Sequence, residues 1–283
     1  MSAAREFDVV IAGAGLPGLA LAAALARSGL SVALADREPV VAPEPDAQSF
    51  DTRIYAVSPG SAAFLDGIGA WSALPADRMT AIESMRVEGD DGGSIAFAAY
   101  DLDVRALAWI VEERALRAAL VACAHAAGVQ IVAPVGFSAL AFEPGCATLS
   151  VAGGDALRAK LVVGADGLRS WTREAAGIHA APKAYAQAAV VANFDCELEH
   201  HGRALQWFMA DGGVLAFLPM PGRRMSIVWS APTALAQQLM ALPAGDLARR
   251  VADAGAKALG SLTLREGPAQ FRLSLLRLPT VDA

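Results

Sequence analysis

Phe7-Asp8-Val9-Val10-Ile11-Ala12-Gly13-Ala14-Gly15-Leu16-Pro17-Gly18 joins a short β-branched run to a glycine-rich turn, and an Ala/Leu stretch from Gly18 to Ser28 follows, stopped at Gly29. The run Phe7 to Ala12 reads as a strand buried on both faces, and the Ala/Leu stretch as a helix with a glycine at its C-terminal end. A second strand, Ser31 to Asp36, comes at once. Strand, helix and strand within about thirty residues make a right-handed βαβ crossover, the seed of a parallel sheet. The chain opens with an α/β domain.

The spacing of Gly13, Gly15 and Gly18 between a strand and a helix is that of a dinucleotide-binding fingerprint. The first glycine permits the tight turn, the second lets a pyrophosphate approach the backbone, and the third lets helix and strand pack closely. Pro17 suits the first helical turn, whose amides then face the phosphates. Asp36 ends the next strand, where a carboxylate can accept hydrogen bonds from a ribose diol, which suits the unphosphorylated ribose of FAD or NAD and disfavours NADP. The plainer alternative is a glycine-rich turn with an incidental surface aspartate.

The wider composition narrows the classes. The 283 residues carry 23 Lys plus Arg against 29 Asp plus Glu, a net charge of -6, which argues against a nucleic-acid binder. With 55% hydrophobic and 18% charged residues, disorder and coiled coil are excluded and a large core in one or two domains is expected. Val9 to Ala26 is uncharged and long enough to tempt a membrane reading, but Gly13, Gly15, Pro17 and Gly18 would make a poor lipid-spanning helix. Cys123, Cys146 and Cys196 are scattered, which fits a reducing cytoplasmic compartment, and no targeting segment is expected before the first apolar stretch. His125, His179, His200 and His201 lack ligand spacing, so no metal is expected, and Ser58 and Ser170 lack a nucleophile elbow.

Farther along, Glu38 to Gln48 reads as loop and Ser61 to Ile68 as helix. Ser84 to Glu88 and Ser94 to Ala98 flank Gly89-Asp90-Asp91-Gly92-Gly93, a hairpin signal that breaks the βαβ rhythm and marks a first excursion into an antiparallel domain. Val111 to Ala127 reads as helix, with Glu112 and Glu113 at its positive end, and Val129 to Val132 and Leu161 to Val163 as further strands of the first domain. Beyond Ala181 strands dominate: Ala189 to Phe194, Leu205 to Met209, Val214 to Leu218 and Met225 to Trp229. Helices over Ala234 to Ala241 and Asp246 to Ala258 and strands near Leu262 to Leu264 and Phe271 to Leu275 follow. Trp207, Phe208, Phe217 and Trp229 alternate into this sheet as pocket wall or as packed core.

A second constellation is Val162-Val163-Gly164-Ala165-Asp166-Gly167-Leu168-Arg169-Ser170, a strand running into a small-residue turn and a helix from Trp171 to Ala176. It stands with Asp51-Thr52-Arg53-Ile54-Tyr55-Ala56-Val57-Ser58, Phe64-Leu65, Gly69-Ala70-Trp71, Val111-Glu112-Glu113-Arg114 and Ser226-Ile227-Val228-Trp229-Ser230. On these segments the chain resembles the FAD-dependent aromatic-ring hydroxylases over almost its whole length, and more closely their ubiquinone-biosynthesis branch. The resemblance implies FAD as cofactor, NAD(P)H as transient co-substrate, and an α/β fold. That fold is a Rossmann-like FAD-binding domain with a parallel sheet (1–83 and 105–180) and a mainly antiparallel substrate domain (84–104 and 181–270). It implies that Asp166 and Gly167 contact the flavin's ribityl region and the nicotinamide cofactor, that Arg53 lies near the flavin pyrophosphate, and that Arg114 hydrogen-bonds the flavin chain. Arg53 and Arg114 remain open to the alternative of ordinary surface ion pairs. No catalytic side chain is assigned.

The family continues with a further flavin segment, so 271–283 is expected to begin a truncated return to the first domain. The expected reaction is hydroxylation of a polyprenylated phenol or quinol by an enzyme that is cytoplasmic or peripheral at the inner membrane face, with ubiquinone-biosynthesis proteins as partners. Two alternatives stand beside it: a monooxygenase of a soluble aromatic metabolite, and a non-catalytic subunit of a biosynthetic complex. The sequence shows no strongly basic amphipathic helix for membrane binding.

Overall fold

Alternating burial organises the N-terminal half. The computed structural model describes residues 5–44, 46, 49–153 and 156–283, so the expected loop Glu38 to Gln48 lies partly outside the described residues. In chain order the first elements are β1 (Arg5–Ala12), α1 (Leu16–Arg27), β2 (Val32–Ala35), β3 (Ile54–Val57), α2 (Pro59–Gly67), β4 (Met79–Ile82), β5 (Ser84–Glu88), β6 (Ser94–Ala98), β7 (Ala108–Glu112) and α3 (Glu113–Ala126). Then come β8 (Gln130–Val132), β9 (Phe137–Glu143), β10 (Cys146–Val151), β11 (Ala156–Gly164), α4 (Trp171–Ala175), β12 (Lys183–Cys196), β13 (Arg203–Phe208), β14 (Val214–Met220), β15 (Arg224–Pro232), α5 (Thr233–Ala241), α6 (Ala244–Ala254) and β16 (Leu262–Leu275).

Among the described residues the strands form three sheets. The first has the order β8-β2-β1-β11-β10-β9, with β8, β2, β1 and β11 parallel and the hairpin β9–β10 antiparallel at one side. Val9 and Ile11 of β1 with Val32 and Leu34 of β2 face α1 and α3, while Val10, Ala12, Ala33 and Ala35 pack on the other side against Leu149, Val151, Leu157 and Ala159. Both faces of β1 are thus covered, as expected for a parallel strand. The tempting apolar run splits into β1 and α1, and no described helix is long and apolar enough to cross a membrane. Residues 157–159 of β11 pair with both β1 and β10, whereas 161–164 pair with β1 alone among the described residues.

The second sheet, β16-β12-β15-β14-β13-β5-β6, joins the hairpin β5–β6 to the late strands through a parallel β13–β5 pair, the other pairs being antiparallel. Val190, Ala192, Phe194, Leu215, Phe217, Ile227 and Trp229 face α5 and α6 and form one core. Trp207 packs there too, its ring 4.8 Å from Phe217. Of the four aromatics left open between wall and core, Trp207, Phe217 and Trp229 are core, and Phe208 is largely exposed.

Three local expectations are corrected. The helix expected from Val111 starts at Glu113, because Ala108–Glu112 is a strand pairing with β3 and β4 in a small antiparallel sheet that the sequence reading did not anticipate. Glu112 therefore sits buried at a strand end instead of serving the helix's first turn. The strands expected near Leu262 and Phe271 are one, β16, and the hairpin β9–β10 went unread.

Candidate cofactor site

Beyond Ala12 the chain turns through Gly13 at φ +109°, a conformation that L side chains rarely adopt. A Cβ there would lie 2.4 Å from the carbonyl carbon of Ala165 and 2.6 Å from the amide nitrogen of Asp166. The turn after β1 therefore lies directly on the turn after β11, and Ala165 N–H donates to Ala12 O at 2.7 Å. A Cβ on Gly18 would stand 1.9 Å from Gly13 O. Gly15 differs. It caps α1 in extended conformation at φ -68°, and a Cβ would meet only Pro17 Cδ at 3.8 Å. Two glycines are thus demanded by backbone packing, while the third leaves free space before the positive end of α1, where Pro17 removes one amide that would need a partner.

Ala14, 2% exposed, is held at both backbone groups. Its N–H donates to Asp36 Oδ2 at 2.5 Å, and its carbonyl accepts from Arg117 Nη1 at 2.9 Å. Asp36 Oδ1 accepts from Glu38 N–H at 2.8 Å. Each carboxylate oxygen has a second lone pair, so Asp36 keeps the capacity to accept from a ribose hydroxyl.

The segment 49–53 reaches the same region. Asp51 accepts from the Arg114 backbone N–H at 2.7 Å, from Nε at 3.0 Å and from Nη2 at 2.7 Å. Its own N–H donates to Glu112 Oε2 at 2.7 Å, and Asn193 Nδ2 donates to Asp51 O at 2.9 Å, tying the segment to β12. Arg78 Nη1 donates to Glu112 Oε1 at 3.2 Å. Burial pushes the Glu112 carboxyl above its ordinary value, against the lowering effects of the Asp51 amide and Arg78. Phe50 lies between the guanidinium groups of Arg78 and Arg224, each 4.4 Å from its ring centre. Arg53 Nε is 3.6 Å from Glu113 Oε2. Pro43, Asp51, Arg53, Glu113, Arg114 and Arg117 line an open cleft of about 290 Å3.

Asp166 is turned inward. One carboxylate oxygen accepts from the Ser170 hydroxyl, the other from Thr172 N–H at 3.0 Å and Thr172 Oγ1 at 3.2 Å. It builds the entry to α4 by accepting from the Thr172 amide and holding Ser170, whose hydroxyl accepts from Arg173 N–H at 2.9 Å, so that two amides the helix start leaves without partners are satisfied. Gly167, at φ +84° and exposed, is the outward part of the turn.

The structure thus gathers Gly13, Gly15, Pro17, Gly18, Asp36, Asp166 and Gly167 at the C-terminal ends of β1, β2 and β11. Arg53 and Arg114 line the cleft that Arg117 joins to the glycine loop, and both are ion-paired. Sequence reasoning missed Asp51, Glu112, Asn193 and Arg117 as parts of this network. Helical spacing of three residues from Arg114 was the available signal for Arg117. Among the described residues no group of three or more His, Cys, Asp or Glu could hold a metal ion.

Residues 6–259 match the family model described as FAD binding domain. The chain belongs to that family. It is 36% identical over 262 residues to the ubiquinone hydroxylase UbiL of Rhodospirillum rubrum, covering 89% of this chain and 59% of the relative. It is 33% identical over 260 residues to the 3-demethoxyubiquinol 3-hydroxylase of Escherichia coli, covering 90% of this chain and 65% of the relative. The chain therefore spans about three fifths of the length of these curated relatives. Among solved structures it is similar to pqsL of Pseudomonas aeruginosa, a probable FAD-dependent monooxygenase. That likeness has a TM-score of 0.72 and 22% identity, covers 93% of this chain and 74% of that one, and bears on the fold. The cofactor of the family is FAD, and the open space at Gly15, the acceptor capacity of Asp36 and the arginine-lined cleft fit a dinucleotide there.

Proposed function

We propose that this chain belongs to an FAD-dependent monooxygenase that hydroxylates the ring of a polyprenylated phenol or quinol in ubiquinone biosynthesis, with NAD(P)H as transient reductant and O2 as co-substrate. The observation that carries the cofactor half is the free space at Gly15 before α1, beside Asp36 and the arginine cleft. The substrate half is supported by the two hydroxylase relatives.

In this reading the loop from Gly13 to Gly18 and the amides of α1 receive the FAD diphosphate, Asp36 accepts from the adenosine ribose, and Arg53 and Arg114 orient the flavin chain. Gly167 offers its backbone to the ribityl region, with Asp166 holding that turn in place. When bound, FAD supplies the activation of O2 that places a hydroxyl on an electron-rich ring. The protein's tasks are to bind, orient and exclude water.

The substrate would meet the face of the second sheet turned away from α5 and α6. Register pairs Val191 with Val228, and Val228 with Ala216, on that face. That face is apolar at these positions and polar where Asn193 pairs with Ser226, which suits a prenylated ring bearing a hydroxyl. A small aromatic acid would instead call for an available cation at that face, and Arg78 and Arg224, which meet at Phe50, are paired with Glu112 and Asp195.

The test is to add FAD to the purified chain, record the bound-flavin spectrum, and follow NAD(P)H oxidation and product mass with a prenylated phenol. A tightly bound flavin and a product heavier by one oxygen are expected. A folded chain that takes up no FAD would overturn the cofactor reading. Bound FAD with turnover of soluble aromatics alone would overturn the substrate reading.

A further inference from the structure

The cleft beside the glycine loop holds three arginines, and their charges are not equally engaged. Arg114 gives its backbone N–H, Nε and Nη2 to Asp51, and Arg53 stands against Glu113. Arg117, half-buried on α3, makes no ion pair among the described residues. Its Nη1 donates to a neutral acceptor, the carbonyl of Ala14. Within the cleft lining, the positive charges of Arg53, Arg114 and Arg117 exceed the negative charges of Asp51 and Glu113 by one, and Arg117 is the unbalanced member.

Its contact places that charge at the center of the loop. Ala14 is pinned at its N–H by Asp36 and at its carbonyl by Arg117, while the adjoining Gly15 faces free space at the start of α1. A guanidinium carries five N–H donors in a planar fork, and one bond to Ala14 leaves four for a planar or tetrahedral oxyanion.

We propose that Arg117 is a cofactor-positioning residue with two tasks: it locks the Ala14 peptide so that the loop keeps its shape, and it gives its unpaired charge to the FAD diphosphate. This rests on the proposed FAD site. It adds a residue that the glycine fingerprint does not contain, brought to the loop from 103 positions away.

The test compares wild type, R117Q, R117M and R117K in the purified chain, by quenching of FAD fluorescence from low to high NaCl, with thermal unfolding as the check on folding. R117Q and R117M should bind FAD about tenfold or more weakly at low salt, with a shallower dependence of affinity on salt, because a charge contact in an open, solvent-reached cleft is lost and its screening with it. R117K should regain much of the affinity and the salt dependence, since it restores the charge without the fork. R117M keeps the aliphatic stem packed, so either neutral variant carries the test if the other fails to fold. Wild-type affinity in a folded neutral variant would overturn the proposal. So would an equal, salt-independent loss in all three variants, which would assign Arg117 to loop packing alone. Failure of wild type itself to bind FAD is a different result and strikes the proposed function.

Discussion

Replacing Gly15 and Gly18 separately by alanine should divide cofactor binding from folding. At Gly15 the backbone is already in a conformation that any L residue adopts, and the added methyl would touch only Pro17 Cδ at 3.8 Å. Losing a glycine cap in favour of alanine costs less than about 1 kcal/mol. At Gly18 the methyl would stand 1.9 Å from Gly13 O and 3.1 Å from Gly13 C, both backbone atoms of a turn already pressed on Ala165. Overpacking of that kind costs about 1–3 kcal/mol or more, and the gain of up to about 1 kcal/mol from helix propensity offsets only part of it. A net loss near 2 kcal/mol corresponds to a fall of roughly 4–8 °C in the unfolding midpoint of a chain this size. Gly15→Ala should therefore unfold within about 2–3 °C of wild type yet bind FAD about tenfold or more weakly, a loss near 1.4 kcal/mol. Gly18→Ala should show the clear fall in midpoint. Calorimetry and FAD titration read the two effects side by side. Full FAD affinity in Gly15→Ala, or equal stability of the two variants, would refute the division of labour among the glycines.

Other outcomes follow from the same network. Asn193→Ala should cost about 1–3 kcal/mol by denaturant titration, because the carbonyls of Asp51 and Phe50 lose a buried donor. Glu112 has its carboxyl raised by burial, so its contribution favours the fold below its unfolded value and is lost as pH rises toward and through the folded one. Wild type should thus lose stability relative to Glu112→Gln as pH is raised from below about 4.5, and a difference that stays flat with pH would contradict this. Asp166→Ala should lower the unfolding midpoint through loss of its bonds to Ser170 and Thr172, by about 0.5–2 kcal/mol at a helix start. The Cys196 thiol, pushed up to about 12 by burial and the neighbouring Asp195, should resist alkylation at pH 8 until the chain is unfolded; rapid labelling of the native protein at that position would count against its buried placement.

The glycine turn was legible because its residues answer to local geometry: Gly13 needs positive φ and Gly18 cannot carry a Cβ, and both demands show in sequence as spacing. The late strands were legible because Val190, Ala192 and Phe194 alternate onto one core. The boundary at Glu112 was not, since Trp109-Ile110-Val111 runs into α3 without a turn residue, and period alone does not separate a short buried strand from the start of a helix. Hairpin β9–β10 escaped for another reason: Phe137–Glu143 is largely solvent-facing and its pattern is weak. Asp51, Asn193 and Arg117 act through partners far along the chain: the three-residue spacing from Arg114 puts Arg117 on the same side of α3 without announcing Ala14 as its partner, and no spacing announces the bond from Asn193 to Asp51.

The stretch 161–164 of β11, hydrogen-bonded on one side only among the described residues, makes the parallel sheet an unfinished lattice row. Leu161 is 54% exposed beside it and Phe142 55%, so an arriving extended segment would find backbone donors and acceptors together with apolar surface. Lys160 at the head of the stretch, bonded to Asp8 at 2.7 Å, is a charged guard at that edge. Concentrated preparations of the chain should therefore self-associate through this row, with oligomer size growing as protein concentration is raised and shrinking when Leu161 is exchanged for lysine.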